Sequence, residues 1–449
     1  MKVILIDPLM EYRAHCVSET LGLMYIAAVL REAGHGVEIV ATGLRKDTKL
    51  SPNDIIDADL VGVTATSALF GNAIEVLSTI RAWRPDLPVI IGGAHATVST
   101  EATLRAGFDF ALIGEAEKTI VEFVANLEQG QPKQTRGIAF LDDTDSIHKT
   151  PEQSLIEDLD TLPFPARDLY DYDAFRAAGG WEFGMLSSRG CPFRCTFCQP
   201  TLNMIFGRMR KRGPDNVAHE MALLAEKYAP PILYFKDDTL SANGLDWFDR
   251  FQTALKERGV RQAWKCNTRV DKVGPRILDA MAEAGCTEVV FGVESGSQRI
   301  LDFYQKDIQV EDTIRAFDLC KERGIRAGAN VILGAPMETS EEMEQTYQLL
   351  RRIEPDHFWV FFATALPGKA LTQYVVEHNL LKRNLGYHYY DTAMNGVYGT
   401  ANIALESISY EQMVTMRNRI LQLQSGSSQE ETALRHGIAQ HVPDRAPRG

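Results

Sequence analysis

The chain has 449 residues, 45% apolar and 24% charged, an ordinary composition for a globular protein with room for two or three domains. A formal net charge of −13 argues against broad nucleic-acid binding through phosphate neutralisation. The longest early apolar stretch, "LGLMYIAAVL" at 21–30, is too short to span a bilayer, so a cytoplasmic location without membrane association or disulfides is expected.

In chain order, "KVILID" (2–7) reads as a strand, and residues 21–32 as a helix ending at Ala33-Gly34. Further strands are expected at 36–42, 60–66, 88–93 and 110–114, with helices at 70–83 and 115–128. Their hydrophobicity is continuous rather than alternating, which implies a parallel sheet covered on both faces. Residues 1–135 therefore read as a doubly wound, flavodoxin- or Rossmann-like α/β domain. With strand order 2-1-3-4-5, its ligands would bind beyond the carboxyl ends of strands one, three and four. Ser67 and Leu69 follow the third strand, and Gly92, Gly93 and His95 close the fourth. Each has a plain structural role open to it as well: a helix cap, tight-turn glycines and a satisfied loop histidine.

Residues 136–180, with "DLDTLPFPARDLYD", look connective. A second series follows over 181–380, with strands expected at 183–188, 231–236, 263–268, 287–293, 326–333 and 356–363. The helices between them are expected at 214–229, 244–258, 274–284, 309–323 and 339–353. Six βα units favour a partial, TIM-like (β/α)6 barrel with function at the carboxyl ends of its strands. Residues 381–425 read as an extension with a helix near 409–424, and 426–449 as a disordered polar tail.

"RGCPFRCTFCQ" (189–199) places three of the seven cysteines in the loop after the first strand of the second series. Gly190 and Pro192 shape a turn in which three sulfurs can converge. Three thiolates suit a soft metal or an iron–sulfur cluster, whereas structural zinc needs a fourth ligand, and no second paired knuckle exists. Cys16, Cys266, Cys286 and Cys320 are singletons, best read as small buried hydrophobes. Three ligands on a four-iron cluster leave one iron free to bind something else.

Cys191-x-x-x-Cys195-x-x-Cys198, with Phe197 before the last cysteine, resembles the signature of the radical S-adenosylmethionine superfamily. "YFKDDTL" (234–240), "WKCNTRVD" (264–271), "VVFGVESGSQRIL" (289–301), "ANVILGAPMET" (329–339) and "ALPGKAL" (365–371) resemble the barrel motifs of its cobalamin-associated branch. In the first block, "LGLMYIAAVLREAGHGVEIV", Ser67-x-Leu69, "GGAHAT" and "DFALIGEAEKT" resemble that branch's cobalamin domain, so the similarity covers residues 1 to about 425.

The resemblance implies that Cys191, Cys195 and Cys198 ligate a [4Fe–4S] cluster whose open iron chelates S-adenosylmethionine. Reduction by a donor such as flavodoxin or ferredoxin would then release a 5′-deoxyadenosyl radical that abstracts a substrate hydrogen. It implies cofactor contacts for Phe197, for Asp237 and Asp238 on the methionine amino group, for Arg269 on its carboxylate, and for Glu294 and Ser295 on the ribose or methionyl end. A helix cap or acidic turn, a surface ion pair and a plain turn are the respective alternatives for the last three groups, and only for Arg269 does the alternative weigh as much as the contact. It also implies a cobalamin site at Ser67, Leu69, Gly92, Gly93 and His95. Two departures stand out: Met337 occupies a position where glycine is common, and the Asp-x-His-x-x-Gly cobalt-ligand motif is missing, His15 having the wrong spacing.

The expected function is a radical enzyme acting on a small molecule, with cobalamin-dependent C-methylation in natural-product or cofactor biosynthesis as the leading reaction. A non-methylating dehydratase, cyclase or rearrangement enzyme and a non-catalytic cobalamin or redox sensor are the alternatives. The aromatic stretch "GYHYYDTAMNGVYG" (386–399) is a candidate substrate entrance, and Tyr389 or Tyr390 a candidate hydrogen-atom donor.

Overall fold

The computed structural model describes residues 1–8, 19–45, 49–180, 182–382 and 402–426. Its first half runs β1 (Lys2–Asp7), α1 (Leu21–Glu32), β2 (Gly36–Ala41), β3 (Leu60–Thr64), α2 (Phe70–Trp83), β4 (Val89–Gly92), α3 (Ala94–Val98), α4 (Thr100–Arg105), β5 (Phe110–Leu112) and α5 (Glu117–Glu128). These strands form a parallel sheet in the order β2-β1-β3-β4-β5, as expected. The continuous apolar run of β1 has a direct cause. Val3 and Leu5 face one core with α1 and α5, while Ile4 and Ile6 face another with α2.

The stretch expected to be connective does more than connect. β6 (Ile138–Leu141) and β7 (Ile147–Lys149) extend the first sheet as an antiparallel hairpin beside β5. Further on, Arg167 is buried between the two halves of the chain. Its guanidinium donates to Glu19 at 2.8 Å, Tyr172 at 3.1 Å, Glu220 at 3.0 Å and the Gly184 carbonyl at 2.7 Å. Glu19 precedes α1 and Gly184 belongs to the second sheet, so one side chain ties the segment before α1 to the second half.

The second half contains α6 (Tyr172–Ala177), β8 (Glu182–Met185), β9 (Ser188–Arg189), α7 (Thr201–Phe206), β10 (Arg210–Lys211), α8 (Pro214–Tyr228), β11 (Ile232–Phe235), α9 (Leu245–Glu257), β12 (Trp264–Thr268), α10 (Pro275–Glu283) and β13 (Cys286–Glu294). It continues with α11 (Gln298–Phe303), α12 (Val310–Glu322), β14 (Arg326–Leu333), α13 (Ser340–Ile353), β15 (His357–Phe362), α14 (Ala370–Glu377) and α15 (Tyr410–Leu421). Six strands pair in parallel in the order β8-β11-β12-β13-β14-β15. Each crossover helix returns the chain to the next position, and β8 and β15 stay as the edges of an unclosed barrel wall. Cys266, Cys286 and Cys320 are buried in the core between this sheet and its helices, with free thiols, as expected.

Candidate active site

The cysteine loop is closed at its base by a short antiparallel pair, with Arg189 opposite Arg210 and Ser188 opposite Lys211. Gly190 opens it at φ +80°, where a Cβ would stand 2.8 Å from the Arg208 carbonyl; only glycine fits. The Cys195 carbonyl accepts from the N–H groups of Cys198 (3.0 Å) and Gln199 (2.8 Å), curling Cys195 and Cys198 into one turn, and the Gln199 side chain reaches back to the Cys191 carbonyl at 3.4 Å. The barrel end holds this turn. Thr196 N–H donates to the Tyr304 carbonyl, Leu371 N–H to the Thr196 carbonyl, and Ala370 N–H to the Gln199 carbonyl.

Cations converge on the sulfurs. Arg269 places Nη1 3.5 Å from Cys195 Sγ and stacks its guanidinium 3.9 Å from the centre of the Phe193 ring. Lys306, buried and ion-paired to Glu294 at 2.7 Å, lies 5.7 Å from the centre of the Phe197 ring, and Lys369 Nζ donates to the Cys198 carbonyl at 2.9 Å. Burial pushes the Cys195 and Cys198 thiols up, the latter to about 12, while Lys306 pulls both down, helped by Arg269 at Cys195 and Lys369 at Cys198. Protonated thiols suit the metal-free loop; ligation would remove those protons, and nearby cations would offset the charge created. Among the described residues, no group of three His, Cys, Asp or Glu side chains is disposed to hold a single metal ion. Three soft donors in a cationic, half-buried turn fit a thiolate-held cluster.

The other expected contacts divide. Asp237 is buried and saturated, accepting from Ser187 N–H (3.0 Å), the Ser187 hydroxyl (2.6 Å) and the Ser188 hydroxyl (2.5 Å), so it ties β9 to the end of β11. Asp238 faces a cavity, where surrounding protein and then the Asp237 charge push its carboxyl up to about 6. Arg269 has its guanidinium engaged by Asp271, the Lys306 carbonyl and Cys195, so it supports the cysteine loop. Glu294 sits at φ +61° at a register irregularity in β13, where its carboxylate meets Lys306 above Gly292. Ser295 turns away: its hydroxyl pairs with Thr346 on α13 at 3.3 Å and accepts from Ser297 N–H. Phe197 packs edge-on against Tyr304, with ring centres 5.2 Å apart. Tyr389, Tyr390 and the 386–399 stretch, like Cys16 and His15, lie outside the described residues.

A cavity of about 440 Å³ lies between the sheets. Its first wall stands at the carboxyl ends of the first sheet and includes Leu5, Gly62, Thr64, Gly92, Gly93 and Gly114. Facing it are Leu202, Ile205 and Phe206 from the cysteine loop, with Ser188, Arg189, Lys236 and Asp238. Gly93 is required there: at φ +96° an added Cβ would come within 2.9 Å of the Ala65 carbonyl. This glycine wall offers a broad ligand close approach to backbone, which suits a corrin. Of the five expected cobalamin residues, Gly92 and Gly93 line the cavity. Ser67 and His95 lie behind it, bonded to each other at 3.0 Å, with His95 stacked 3.9 Å from the centre of the Phe70 ring, and Leu69 is buried. Burial holds the His95 imidazole down to about 4.

Sequence reading missed the charged residues that join the halves. Glu115 and Glu117, inside the quoted "IGEAEKT", bind Arg189, and Glu115 also binds Arg210. Two acids directly beyond a buried strand end were the available signal.

Comparison with known proteins agrees with this arrangement. The radical SAM superfamily model matches residues 185–350, and the B12 binding domain model matches residues 14–124. The chain is 34% identical to the uncharacterized methyltransferase PH0819 of Pyrococcus horikoshii, covering 85% of this chain and 84% of that protein. It is 27% identical to the anaerobic magnesium-protoporphyrin IX monomethyl ester cyclase of Rubrivivax gelatinosus, over 74% of this chain and 62% of that one. It is equally identical to the cytidylyl-2-hydroxyethylphosphonate methyltransferase of Streptomyces wedmorensis, over 82% and 80%. In fold it is similar to the radical S-adenosylmethionine methyltransferase TsrM of Kitasatospora setae, solved with cobalamin and a [4Fe–4S] cluster. That likeness has a TM-score of 0.73 at 17% identity and covers 99% of this chain and 93% of the other.

Proposed function

Because the chain belongs to the radical S-adenosylmethionine superfamily, in the branch that carries a B12 binding domain, we propose that it methylates an unactivated carbon of a small molecule in natural-product or cofactor biosynthesis. The observation that carries this reading is the shared cavity. One space is bounded by the glycine wall of the first sheet and by the loop that holds the cysteines. A [4Fe–4S] cluster with S-adenosylmethionine supplies, when bound, a hydrogen-abstracting radical, and cobalamin supplies the methyl group.

The chain's own residues do the rest. Cys191, Cys195 and Cys198 would hold three irons, with Arg269 and Lys306 balancing the thiolate charge. Asp238 is the open carboxylate at the barrel mouth and would accept from the methionine ammonium group. Gly92 and Gly93 would let a corrin approach the backbone, and the aliphatic lining keeps water from the reacting groups. A flavodoxin- or ferredoxin-like donor would deliver the electron. Thiols of this kind must stay reduced, which favours the cytoplasm; no described helix is long and apolar enough to cross a membrane.

A non-methylating, ring-forming reaction is the second reading, favoured by the cyclase relative. Anaerobic reconstitution separates the possibilities. The wild-type protein with reductant should form 5′-deoxyadenosine, and Cys195→Ala should lose iron and at least ~100-fold of that activity. A product gain of about 14 mass units marks methylation, and 5′-deoxyadenosine without that gain marks the second reading. An iron-poor wild-type preparation that leaves S-adenosylmethionine intact would end both.

A further inference from the structure

Four charged side chains at the seam between the sheets take no part in the chemistry above. Arg189 and Arg210 face each other across the strand pair that closes the cysteine loop, one before Gly190 and one after the loop ends. Glu115 stands on the turn between β5 and α5 and meets both. Its Oε1 accepts from Arg189 Nη1 at 2.9 Å and from Arg210 Nη2 at 2.9 Å, and its Oε2 accepts from Arg210 Nη1 at 2.7 Å. Glu117 accepts from Arg189 Nη2 at 2.6 Å. Two guanidiniums thus balance two carboxylates, and all four side chains are buried, none more than 9% exposed.

We propose that Glu115 is a positioning residue that fixes how far the cysteine loop stands from the glycine wall, and thereby the spacing of the two cofactors; this rests on the function proposed above. The geometry favours such a role over simple adhesion. A single carboxylate holds both ends of residues 190–209, the segment that carries all three cysteines and the cavity-facing Leu202, Ile205 and Phe206. Forked guanidinium–carboxylate pairs fix angle as well as distance, which a lysine would not. Arg189 also lies 5.1 Å from the centre of the Tyr25 ring on α1, so the same strand pair is referenced to a second element of the first domain. Glu115, Glu117, Arg189 and Tyr25 all border the cavity. Transfer between two bound groups depends steeply on placement, a shift of about 1 Å lowering rates roughly 100-fold.

The test uses Glu115→Gln, which keeps the shape and removes the charge, and Arg210→Lys, which keeps the charge and removes the fork. In the metal-free protein, amide exchange over residues 188–212 should quicken roughly tenfold or more in both variants while β11 to β14 stay as in wild type. In the reconstituted holoprotein, methylated product per 5′-deoxyadenosine should fall roughly tenfold in Glu115→Gln and less in Arg210→Lys. Equal quickening throughout the barrel would make Glu115 an ordinary structural residue and overturn the proposal. An unchanged loop, or an unchanged product ratio despite a loosened loop, would also overturn it. If wild type forms 5′-deoxyadenosine without adding a methyl group, the functional reading fails separately, and the loop's exchange together with the ratio for the product that does form decides the role of Glu115.

Discussion

The two walls of the cavity are made of different materials. On the first sheet the wall is shape: Gly62, Gly92 and Gly93 beside Leu5, with Ser67 and His95 bonded to each other behind it. On the barrel side charge enters the lining with Arg189, Lys236 and Asp238, and beyond the lining stand the three cysteines with Arg269 and the Lys306–Glu294 pair. A wall of shape fails when an atom is added: behind Gly93 the Ala65 backbone leaves no room, and at Gly62 an added Cβ would stand 3.0 Å from Leu5 Cδ2. A wall of charge fails when a partner is removed, because the group left behind is buried without compensation.

That contrast can be pressed at several places. The largest effect on stability is expected between the two halves of the chain, where Arg167→Met leaves the buried Glu19 without its cation and Glu220 with Arg212 alone. The cost should be about 3–5 kcal/mol, measured by denaturant unfolding of the apoprotein. On the glycine side, Gly93→Ala adds one carbon at a left-handed φ against the Ala65 carbonyl. It should cost about 1–3 kcal/mol and reduce retained cobalamin absorbance, while Gly34→Ala, left-handed but with open space around it, should cost less and leave the cobalamin signal intact. An effect of similar size, seen only in acid, concerns His95. Its pKa is held near 4 in the fold, against about 6.5 in the unfolded chain, so it takes up a proton chiefly on unfolding. The stability tied to this group is intact above pH 6.5 and declines as pH falls toward 4. The loss attributable to it should reach about 2 kcal/mol at pH 5, and His95→Phe should flatten that part of the slope relative to wild type, as read from melts at pH 7.5 and pH 5.

Much of the architecture was legible because local pattern and tertiary environment agree. Residues 21–32 and 70–83 form helices at the expected bounds, and the uninterrupted apolar runs did mark strands covered on both faces. The β6–β7 hairpin was not legible, since short edge strands around "DDTDS" carry too little apolar periodicity to stand out from a turn. Short helices such as α7 and α14 were missed because their places are set by the loop they touch. At the site, cysteine spacing located the loop, yet the partners of its neighbours could not be inferred. Glu115 reaches Arg189 across 74 positions and Arg210 across 95, and nothing local announces such a pairing. Ser295 shows the opposite problem: Ser-Gly after a strand reads as a ligand turn, but the hydroxyl serves the junction with α13.

The cysteine turn receives its final backbone partners from Ala370 and Leu371, and Lys369 grips a carbonyl 171 positions earlier in the chain. During synthesis, therefore, the three thiols emerge from the ribosome long before the segment that will cover them. Iron delivered before that segment is made would meet the turn without its anchors at Lys369, Ala370 and Leu371.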